Sequence, residues 1–318
     1  MTATEKGKIL VVGSYNVGMV VNTYRLPVWG ETLIGNGFTE GPGGKGSNQA
    51  VAAARLGGEV CFVGCVGEDR YGDDAIRMLE SEYVDISYLK RTNKSKTGIG
   101  FIFLNEHGEN SIIVDSGANL RLQPNDPSIP LSIDKADIVL VQLENDINTI
   151  EETIKISKEK GKTVILNPAP AQNDINSLLS YVTILTPNES ELKILAGLEP
   201  SISINHETCI EIAKELLQKG PETIVVTLGE HGALIVNADG HKFVSAPRVK
   251  PKDTTGAGDS FNGALAVALS EQKKIEEAVQ WACYAGAYTV IGSEVIPSLP
   301  TRKQLEAFID NKTTSYQA

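Results

Sequence analysis

Residues 253–263 read Asp-Thr-Thr-Gly-Ala-Gly-Asp-Ser-Phe-Asn-Gly and are the most informative stretch of the chain. Three small residues, Gly256, Ala257 and Gly258, precede an apolar-periodic run, which predicts a loop that leads into a helix N-terminus. Such an end binds anions, because its first backbone N–H groups have no partner within the helix and the helix dipole places partial positive charge there. The stretch therefore predicts a phosphate cradle.

Asp259 lies in the first turn of the same predicted helix. A carboxylate there could be no more than a favourable N-terminal charge, worth about 0.3–1 kcal/mol. Beside a phosphate cradle, it could also accept the proton of a hydroxyl group that attacks a phosphoryl group. We predict that Asp259 is a general base and that the backbone N–H groups of Gly256, Ala257 and Gly258 stabilise the transferred charge.

The composition restricts the class of protein. The chain has 318 residues, of which 41% are apolar, so it can form a substantial core. The formal net charge of −11, without a Lys/Arg cluster, argues against nucleic acid and anionic membranes as partners. No apolar run reaches the ~18 residues of a membrane span, and no signal-peptide pattern is present, so we expect a cytoplasmic protein. Four scattered cysteines do not form a disulfide framework.

Strand and helix patterns alternate along most of the chain. Strands are predicted at 8–13, 59–66, 137–143, 162–166, 182–185 and 223–228. Helices are predicted near 72–82, 147–160, 188–196, 206–219, 258–270, 276–290 and 302–310. This repetition predicts an α/β fold with a central, mainly parallel sheet and helices on both faces. Ligands of such a sheet bind at the carboxyl ends of its strands.

Two segments interrupt this alternation. Residues 15–40 contain Pro27 and several glycines and are typical of short strands, whereas 97–104 and 110–114 flank a polar turn as a hairpin. We predict that segments at approximately 15–40 and 97–115 form a small β-sheet lid, inserted in a single domain of residues 1–318. The exposed face of a lid sheet is a natural pairing surface, so we expect a homodimer through the lid.

Two glycine-rich stretches carry a resemblance to a known family. The run Gly43-Gly44-Lys45-Gly46-x-Asn48, followed far downstream by residues 253–259, strongly resembles the ribokinase/PfkB superfamily of carbohydrate kinases. The resemblance covers almost the whole chain, with shorter runs in the family's order at 30–32, 48–54, 67–72, 117–119, 167–170, 187–189 and 227–229. The runs Gly-Ala-Asn and Asn-Pro-Ala-Pro are most similar to those of ribokinases. No Walker pattern is present, so a nucleotide would be held without a P-loop.

The resemblance implies a fold, a reaction and a set of site residues. The reaction is transfer of the γ-phosphoryl group of ATP to a primary hydroxyl of a pentose or related small sugar, with ribose the first candidate. The implied sugar site comprises Asn16, Gly18, Gly44, Lys45, Asn48, Glu144 and Asp259. The implied nucleotide site comprises Asn188, Thr227, Gly229, Gly232, Gly258 and Cys283.

The resemblance also implies two cations. Glu191 would hold Mg²⁺ through water, although it could instead be a solvated acid in the first turn of a helix. A monovalent cation, K⁺, would lie beside the cradle, at positions several of which contribute backbone carbonyls: Asp253, Thr255, Thr289, Gly292, Glu294 and Ser298.

Three positions depart from the family pattern. Gly18 stands where ribokinases usually carry an Asp that accepts hydrogen bonds from two ribose hydroxyls, and each bond to such a charged group is worth about 1.5–3 kcal/mol. Glu294 replaces a usual Gly, and Cys283 replaces an Asn or His near the adenine. Two alternatives therefore remain open: a kinase for another sugar or nucleoside, and a catalytically silent sugar-binding protein. The intact Asp259 and its cradle count against the second.

Overall fold

The computed structural model describes residues 7–106, 110–172 and 174–315. The strands are β1 (Lys8–Val12), β2 (Asn16–Asn22), β3 (Asn36–Gly43), β4 (Glu59–Val63), β5 (Cys65–Gly67), β6 (Lys90–Thr92), β7 (Gly98–Leu104), β8 (Asn110–Asp115), β9 (Ile138–Val141), β10 (Thr163–Leu166), β11 (Ile184–Leu185), β12 (Thr223–Thr227), β13 (Ala233–Asn237) and β14 (Gly240–Val244). The helices are α1 (Lys45–Arg55), α2 (Arg70–Ser81), α3 (Ser128–Lys135), α4 (Ile147–Glu159), α5 (Asn176–Leu179), α6 (Glu189–Leu195), α7 (His206–Leu217), α8 (Ala257–Ser270), α9 (Ile275–Thr289), α10 (Val295–Ser298) and α11 (Arg302–Ser315).

Eight strands form the central sheet, in the order β14-β13-β12-β11-β10-β9-β1-β4. The neighbours from β12 to β4 are parallel, and β13 and β14 add an antiparallel hairpin at one edge. Along β1, Ile9 and Val11 pack in one buried cluster with α1, α8 and α9, whereas Leu10 and Val12 pack in another with α3, α4 and α7. The predicted α/β fold, with helices on both faces of a mainly parallel sheet, is confirmed.

A second sheet of four strands has the order β3-β2-β7-β8. Strands β2 and β7 are parallel and their outer neighbours are antiparallel, so β3 and β8 are the edges. One face of this lid packs on the core, where Val17 of β2 clusters with Tyr15, Val66 and Ala75. The strands coincide with the predicted lid segments, except that β3 continues to Gly43. In the predicted hairpin turn, residues 107–109 lie outside the described residues.

The sequence prediction was wrong or incomplete in several places. The single strand predicted at 59–66 is in fact β4 and β5, which are separated at Gly64, where a Cβ atom would lie 2.8 Å from the carbonyl oxygen of Gly13. Strand β5 pairs instead with β6, which was missed because Lys90 and Arg91 give it no apolar alternation. Helix α3 was missed because it is short and contains Pro130 in its first turn.

The site is positioned by the N-termini of α1 and α8. Gly46 of α1 lies against the end of β1, since a Cβ atom there would be 2.4 Å from the backbone nitrogen of Ser14. Gly263 of α8 approaches α1 so closely that its Cβ atom would be 2.7 Å from that of Ala52. Both helices therefore begin at the carboxyl ends of the parallel strands. Within the described ranges, none of the helices has the length and apolar character needed to cross a membrane.

Candidate active site

The predicted cradle is the N-terminus of α8. Gly256 is its N-cap, in the left-handed region with φ of 81°, and a Cβ atom there would lie 2.5 Å from Val295 Cγ1. Glycine is therefore required by both conformation and space. Helix α8 starts at Ala257, so the N–H groups of Gly256, Ala257, Gly258 and Asp259 have no partner within the helix, and that of Ala257 reaches the Thr254 carbonyl at 3.4 Å. The positive end of the helix dipole lies at these N–H groups, so the helix N-terminus favours an anion.

Asp259 is buried at this helix end, with 8% of its surface exposed. Its Oδ2 atom accepts a hydrogen bond from Asn48 Nδ2 at 2.8 Å, and its Oδ1 atom accepts one from Gln49 Nε2 at 3.0 Å. Burial raises the pKa of Asp259 above the usual Asp range, although the positive charge of Lys45 and the two amide donors act in the opposite direction. A carboxylate with a raised pKa, held by donors, suits a general base.

The residues predicted for the sugar include Asn48, which contacts Asp259, and Lys45 and Glu144, whose charges lie near it. Asn48 Oδ1 is buried and has no partner among the described residues, so it can accept a hydrogen bond from a hydroxyl. Glu144 Oε2 accepts from the Lys45 backbone N–H at 2.9 Å and from Ser14 Oγ at 2.5 Å. Asn16, at the start of β2, accepts from Asn119 Nδ2 at 2.8 Å. These contacts create a polar site lined by donors and acceptors, which fits a polyol.

Lys45 connects the sugar side with the phosphate side. Burial lowers the pKa of its ammonium group, but the nearby carboxylates of Asp259, Glu144 and Glu191 more than offset this, and the pKa is raised. Lys45 therefore stays charged, beside the base. Gly44, the residue before it, has φ of 95°, and its Cβ atom would lie 2.7 Å from the Asn16 nitrogen.

Gly18 lies in a row of glycines across the lid. It pairs with Gly41 of β3 and Gly100 of β7, so the three residues share one face, which also carries Asn16. A Cβ atom at Gly18 would make only ordinary contacts, 3.7 Å from Ile102 Cδ1 and 3.8 Å from the Gly41 oxygen. At Gly41 and Gly100 nothing lies within 4 Å. This face of the lid lacks the carboxylate of the family pattern and has room for one.

A cavity of about 830 Å³ lies on the other side of the cradle. All six residues predicted for the nucleotide line it: Asn188, Thr227, Gly229, Gly232, Gly258 and Cys283. Burial raises the pKa of Cys283 to about 12, so its thiol is neutral and forms an apolar part of the wall. Residues 246–249, which also line the cavity, were missed because this loop has no pattern that would reveal a ligand.

Glu191 has the structural role that the sequence left open. The Asn188 side chain accepts from the Glu191 N–H at 2.8 Å, and Glu191 Oε2 accepts from the Asn188 N–H at 2.9 Å. This capping box stabilises the start of α6. Burial also raises the pKa of Glu191. A role in holding Mg²⁺ through water stays a prediction.

The six residues predicted for the monovalent cation belong to one region beside the cradle. Asp253 accepts from the Thr255 N–H at 2.9 Å and from the Glu294 N–H at 3.3 Å. The Gly292 N–H donates to the Thr289 carbonyl, and a Cβ atom on Gly292 would lie 2.2 Å from Ser298 Oγ. In the described part of the chain, no group of three or more His, Cys, Asp or Glu side chains could hold a metal ion. A cation here would therefore be held at least partly by carbonyl and hydroxyl oxygens.

A buried layer of amides beneath Asp259 was missed. Gln142 Nε2 donates to Gln49 Oε1 at 2.6 Å, and Gln49 Nε2 donates to Asn167 Oδ1 at 3.0 Å as well as to Asp259. Gln142 and Asn167 directly follow the buried strands β9 and β10. A polar residue immediately after each apolar strand was the signal that could have revealed this layer.

The arrangement of a buried carboxylate at a helix N-terminus, with a polar site on one side and a cavity on the other, agrees with comparisons to known proteins. A family model described as "pfkB family carbohydrate kinase" matches residues 6–302. The chain belongs to this family. The protein is also 36% identical over 304 residues to a ribokinase of Haemophilus influenzae. The match covers 95% of this chain and 98% of the relative. A deoxyribokinase of Salmonella typhi is 36% identical over 305 residues, with the same two coverages.

Among solved structures, a ribokinase of Arabidopsis thaliana complexed with ribose and ATP has a TM-score of 0.88 and 32% identity. The match covers 96% of this chain and 99% of the Arabidopsis chain. The predicted family resemblance is confirmed, and so is the predicted class of enzyme, an ATP-dependent carbohydrate kinase.

We expect Asp259→Asn to abolish turnover while sugar affinity stays within about tenfold, because the amide keeps the shape but cannot take up a hydroxyl proton. A general base contributes typically ~10²–10⁴-fold in rate. Steady-state kinetics and sugar titration calorimetry measure the two effects. Asp126→Asn is the matched control, since Asp126 is a buried carboxylate outside the site, held by Ser128. Near-normal turnover of Asp259→Asn would contradict the assignment.

Proposed function

We propose that this protein transfers the γ-phosphoryl group of ATP to the primary hydroxyl of a pentose, with ribose as first candidate and ribose 5-phosphate as product. The observation that carries the proposal is the position of Asp259. Its neighbours Ala257 and Gly258 line the nucleotide cavity, and its carboxylate contacts Asn48 on the sugar side. The names of two relatives, a ribokinase and a deoxyribokinase, support a pentose as substrate.

In this mechanism Asp259 accepts the proton of the primary hydroxyl. The hydroxyl oxygen forms a bond to the γ-phosphorus, and the bond from that phosphorus to the oxygen of the leaving ADP breaks. The N–H groups of Gly256, Ala257 and Gly258 stabilise the charge on the transferred group. Glu191 would hold Mg²⁺ through water, and the ion would neutralise phosphate charge when bound. The cavity residues around Asn188 and Gly229 hold the nucleotide.

A second candidate is a kinase that prefers a sugar other than ribose. Gly18 supplies no acceptor for the hydroxyl pair that an Asp at this position would bind, and its neighbours in the row, Gly41 and Gly100, add none. A sugar that lacks one of those hydroxyls therefore loses less binding free energy in this pocket than in a pocket that carries the carboxylate. 2-Deoxyribose, or another pentose or a nucleoside, is then accepted as well as ribose.

We expect wild-type enzyme to show comparable kcat/KM for ribose and 2-deoxyribose, and Gly18→Asp to shift this ratio toward ribose by about tenfold or more. One restored hydrogen bond to a charged acceptor, at about 1.5 kcal/mol, gives that factor. Coupled assays with ATP and a panel of pentoses, ketoses and nucleosides measure the ratios. Gly41→Asp, in the same row and with no atom within 4 Å of its Cβ position, is the matched control.

Strong preference for ribose in the wild type, with no gain in Gly18→Asp, would show that Gly18 does not determine specificity. Absence of phosphorylation with every compound of the panel, together with binding of a sugar, would instead identify a catalytically silent sugar-binding protein.

We also propose that K⁺ activates the enzyme from the loop of Asp253 and Glu294. A site that relies in part on backbone carbonyl and hydroxyl oxygens suits a large, weakly hydrated ion. Turnover is expected to be higher in K⁺ than in Na⁺ or a bulky organic cation at fixed ionic strength. Glu294→Gly, which introduces the residue usual in the family, should keep this dependence. Equal rates in all three cations would contradict the proposal.

The lid supports a homodimer as the assembly. Its strands and the loop between β2 and β3 expose large apolar side chains, among them Trp29, Ile34, Phe38, Ile112 and Ile113. Exposed apolar area on this scale marks an interaction surface, and a second copy of the lid matches it in chemistry. We also propose that the chain is a single domain with an inserted lid. We place the protein in the cytoplasm, where ATP is available.

Ile112→Lys is expected to convert the dimer to a monomer at micromolar concentration, because it places a charge among the exposed apolar side chains of β8, an edge strand of the lid. Sedimentation equilibrium measures the assembly. Leu131→Lys is the matched control, since Leu131 of α3 is 54% exposed, as is Ile112, but lies outside the lid. A wild-type protein that sediments as a monomer would exclude the lid as a stable interface.

A further inference from the structure

The side chain of Gln49 joins the base to the central sheet. It is fully buried on α1, and its Nε2 atom lies 3.0 Å from Asp259 Oδ1 and 3.0 Å from Asn167 Oδ1. Its Oε1 atom accepts from Gln142 Nε2 at 2.6 Å. All the hydrogen-bonding atoms of this amide are therefore used, and one of its two donors is aimed at the carboxylate.

The orientation of this amide is fixed by its neighbours. Rotation by half a turn would place Gln49 Oε1 against the oxygens of Asp259 and Asn167, and its NH₂ group against the NH₂ group of Gln142. Asn167 cannot compensate by turning, because its Nδ2 atom already donates to the Thr186 carbonyl at 3.2 Å. The donor that faces Asp259 Oδ1 is thus held from the ends of β9, β10 and β11.

We propose that Gln49 is a positioning residue for phosphoryl transfer, because its side-chain N–H group fixes Asp259 Oδ1 and leaves Oδ2 to meet the substrate hydroxyl. The proposal rests on the proposed function, in which Asp259 is the base. Asn48 holds Oδ2 from the sugar side and keeps its own Oδ1 free, so the two neighbouring amides have different tasks: Asn48 adjoins the substrate, whereas Gln49 lies behind the carboxylate.

The same donor stabilises the ionised form of the base. Asp259 is surrounded by the ammonium group of Lys45, by the carboxylates of Glu144 and Glu191, and by the two amides. Burial and the two carboxylates favour a proton on Asp259, whereas Lys45, Asn48 and Gln49 oppose it. Loss of the Gln49 donor should therefore raise the pH below which the base is protonated and activity is lost.

The test is the pH profile of kcat/KM for the sugar, in wild type, Gln49→Met and Gln49→Glu. Methionine keeps the shape without a donor, so kcat should fall by about 10–100-fold, and the acidic limb should move up by about one pH unit, the equivalent of one lost charge-assisted hydrogen bond. In Gln49→Glu, a carboxylate oxygen faces Asp259 Oδ1, so the acidic limb should move up further than in Gln49→Met. KM for ATP should stay within about twofold.

Gln142→Leu is a second variant in case Gln49→Met does not fold. It removes only the donor that orients Gln49, so an intermediate shift of the acidic limb is expected. Thr153→Val is the control for the loss of a buried polar group, since Thr153 of α4 bonds only within its own helix, to the Thr149 carbonyl. It should lower the thermal midpoint without moving the limb.

The outcomes separate this inference from the proposed function. Wild-type turnover of a panel sugar tests the function, and the difference between variant and wild type tests Gln49. An acidic limb that stays within about 0.3 pH unit in both Gln49→Met and Gln142→Leu would overturn the positioning role. Carbon-13 titration of the Asp259 carboxyl, assigned by its loss in Asp259→Asn, gives the same comparison without turnover, and an unchanged midpoint would again overturn it.

Discussion

The close packing of α1 on α8 is the constraint on which the site depends. Gly263 has no side chain, so α8 can approach Ala52 and the Gln49 carbonyl at distances that a Cβ atom would not allow. Four residues earlier on each helix, on the same faces, Asp259 meets Asn48 and Gln49. The apolar contact thus sets the distance for the polar contact one turn away. A larger residue at 263 would separate the carboxylate from both amides.

The two helix ends that this packing brings together have different uses. The first N–H group of α1, that of Lys45, is bonded to Glu144, whereas the first turn of α8 keeps N–H groups available for an anion. Both ends carry partial positive charge, which favours Glu144 at one and a phosphoryl group at the other. Burial of Asp259 between them would by itself favour its protonation, and Lys45 with the buried amides counteracts this. The base stays ionisable although it is removed from water.

The features that were predictable from the sequence are local ones. The small residues 256–258 before an apolar-periodic run predicted the N-terminus of α8, apolar runs predicted β1 and β10, and spaced motifs identified the family. Contacts between distant segments were not predictable. Gln49 and Asp259 are 210 residues apart, and Gln142 is 93 residues from Gln49. Strand β6 and the break at Gly64 depend on pairing partners that no local pattern specifies. For Glu191, the sequence allowed two roles, and the capping box occupies one carboxylate oxygen without excluding the other role.

Two of the three departures from the family pattern, at Glu294 and at Gly18, are opposite in kind. Glu294 adds a side chain to a backbone with φ of 63° and ψ of 152°, a region that is essentially restricted to glycine and costs about 1–3 kcal/mol for other residues. The bond from its N–H to Asp253 helps to impose this conformation. Because backbone angles set the direction of a carbonyl, the loop keeps the carbonyl arrangement that a glycine would give, which supports the proposed K⁺ site. At Gly18 the opposite holds. The residue has an ordinary strand conformation, and only the carboxylate side chain is missing. At 294 the backbone therefore has the conformation that a glycine would favour, whereas at 18 only the carboxylate is missing, and in the proposed function this changes which sugar hydroxyls the lid binds.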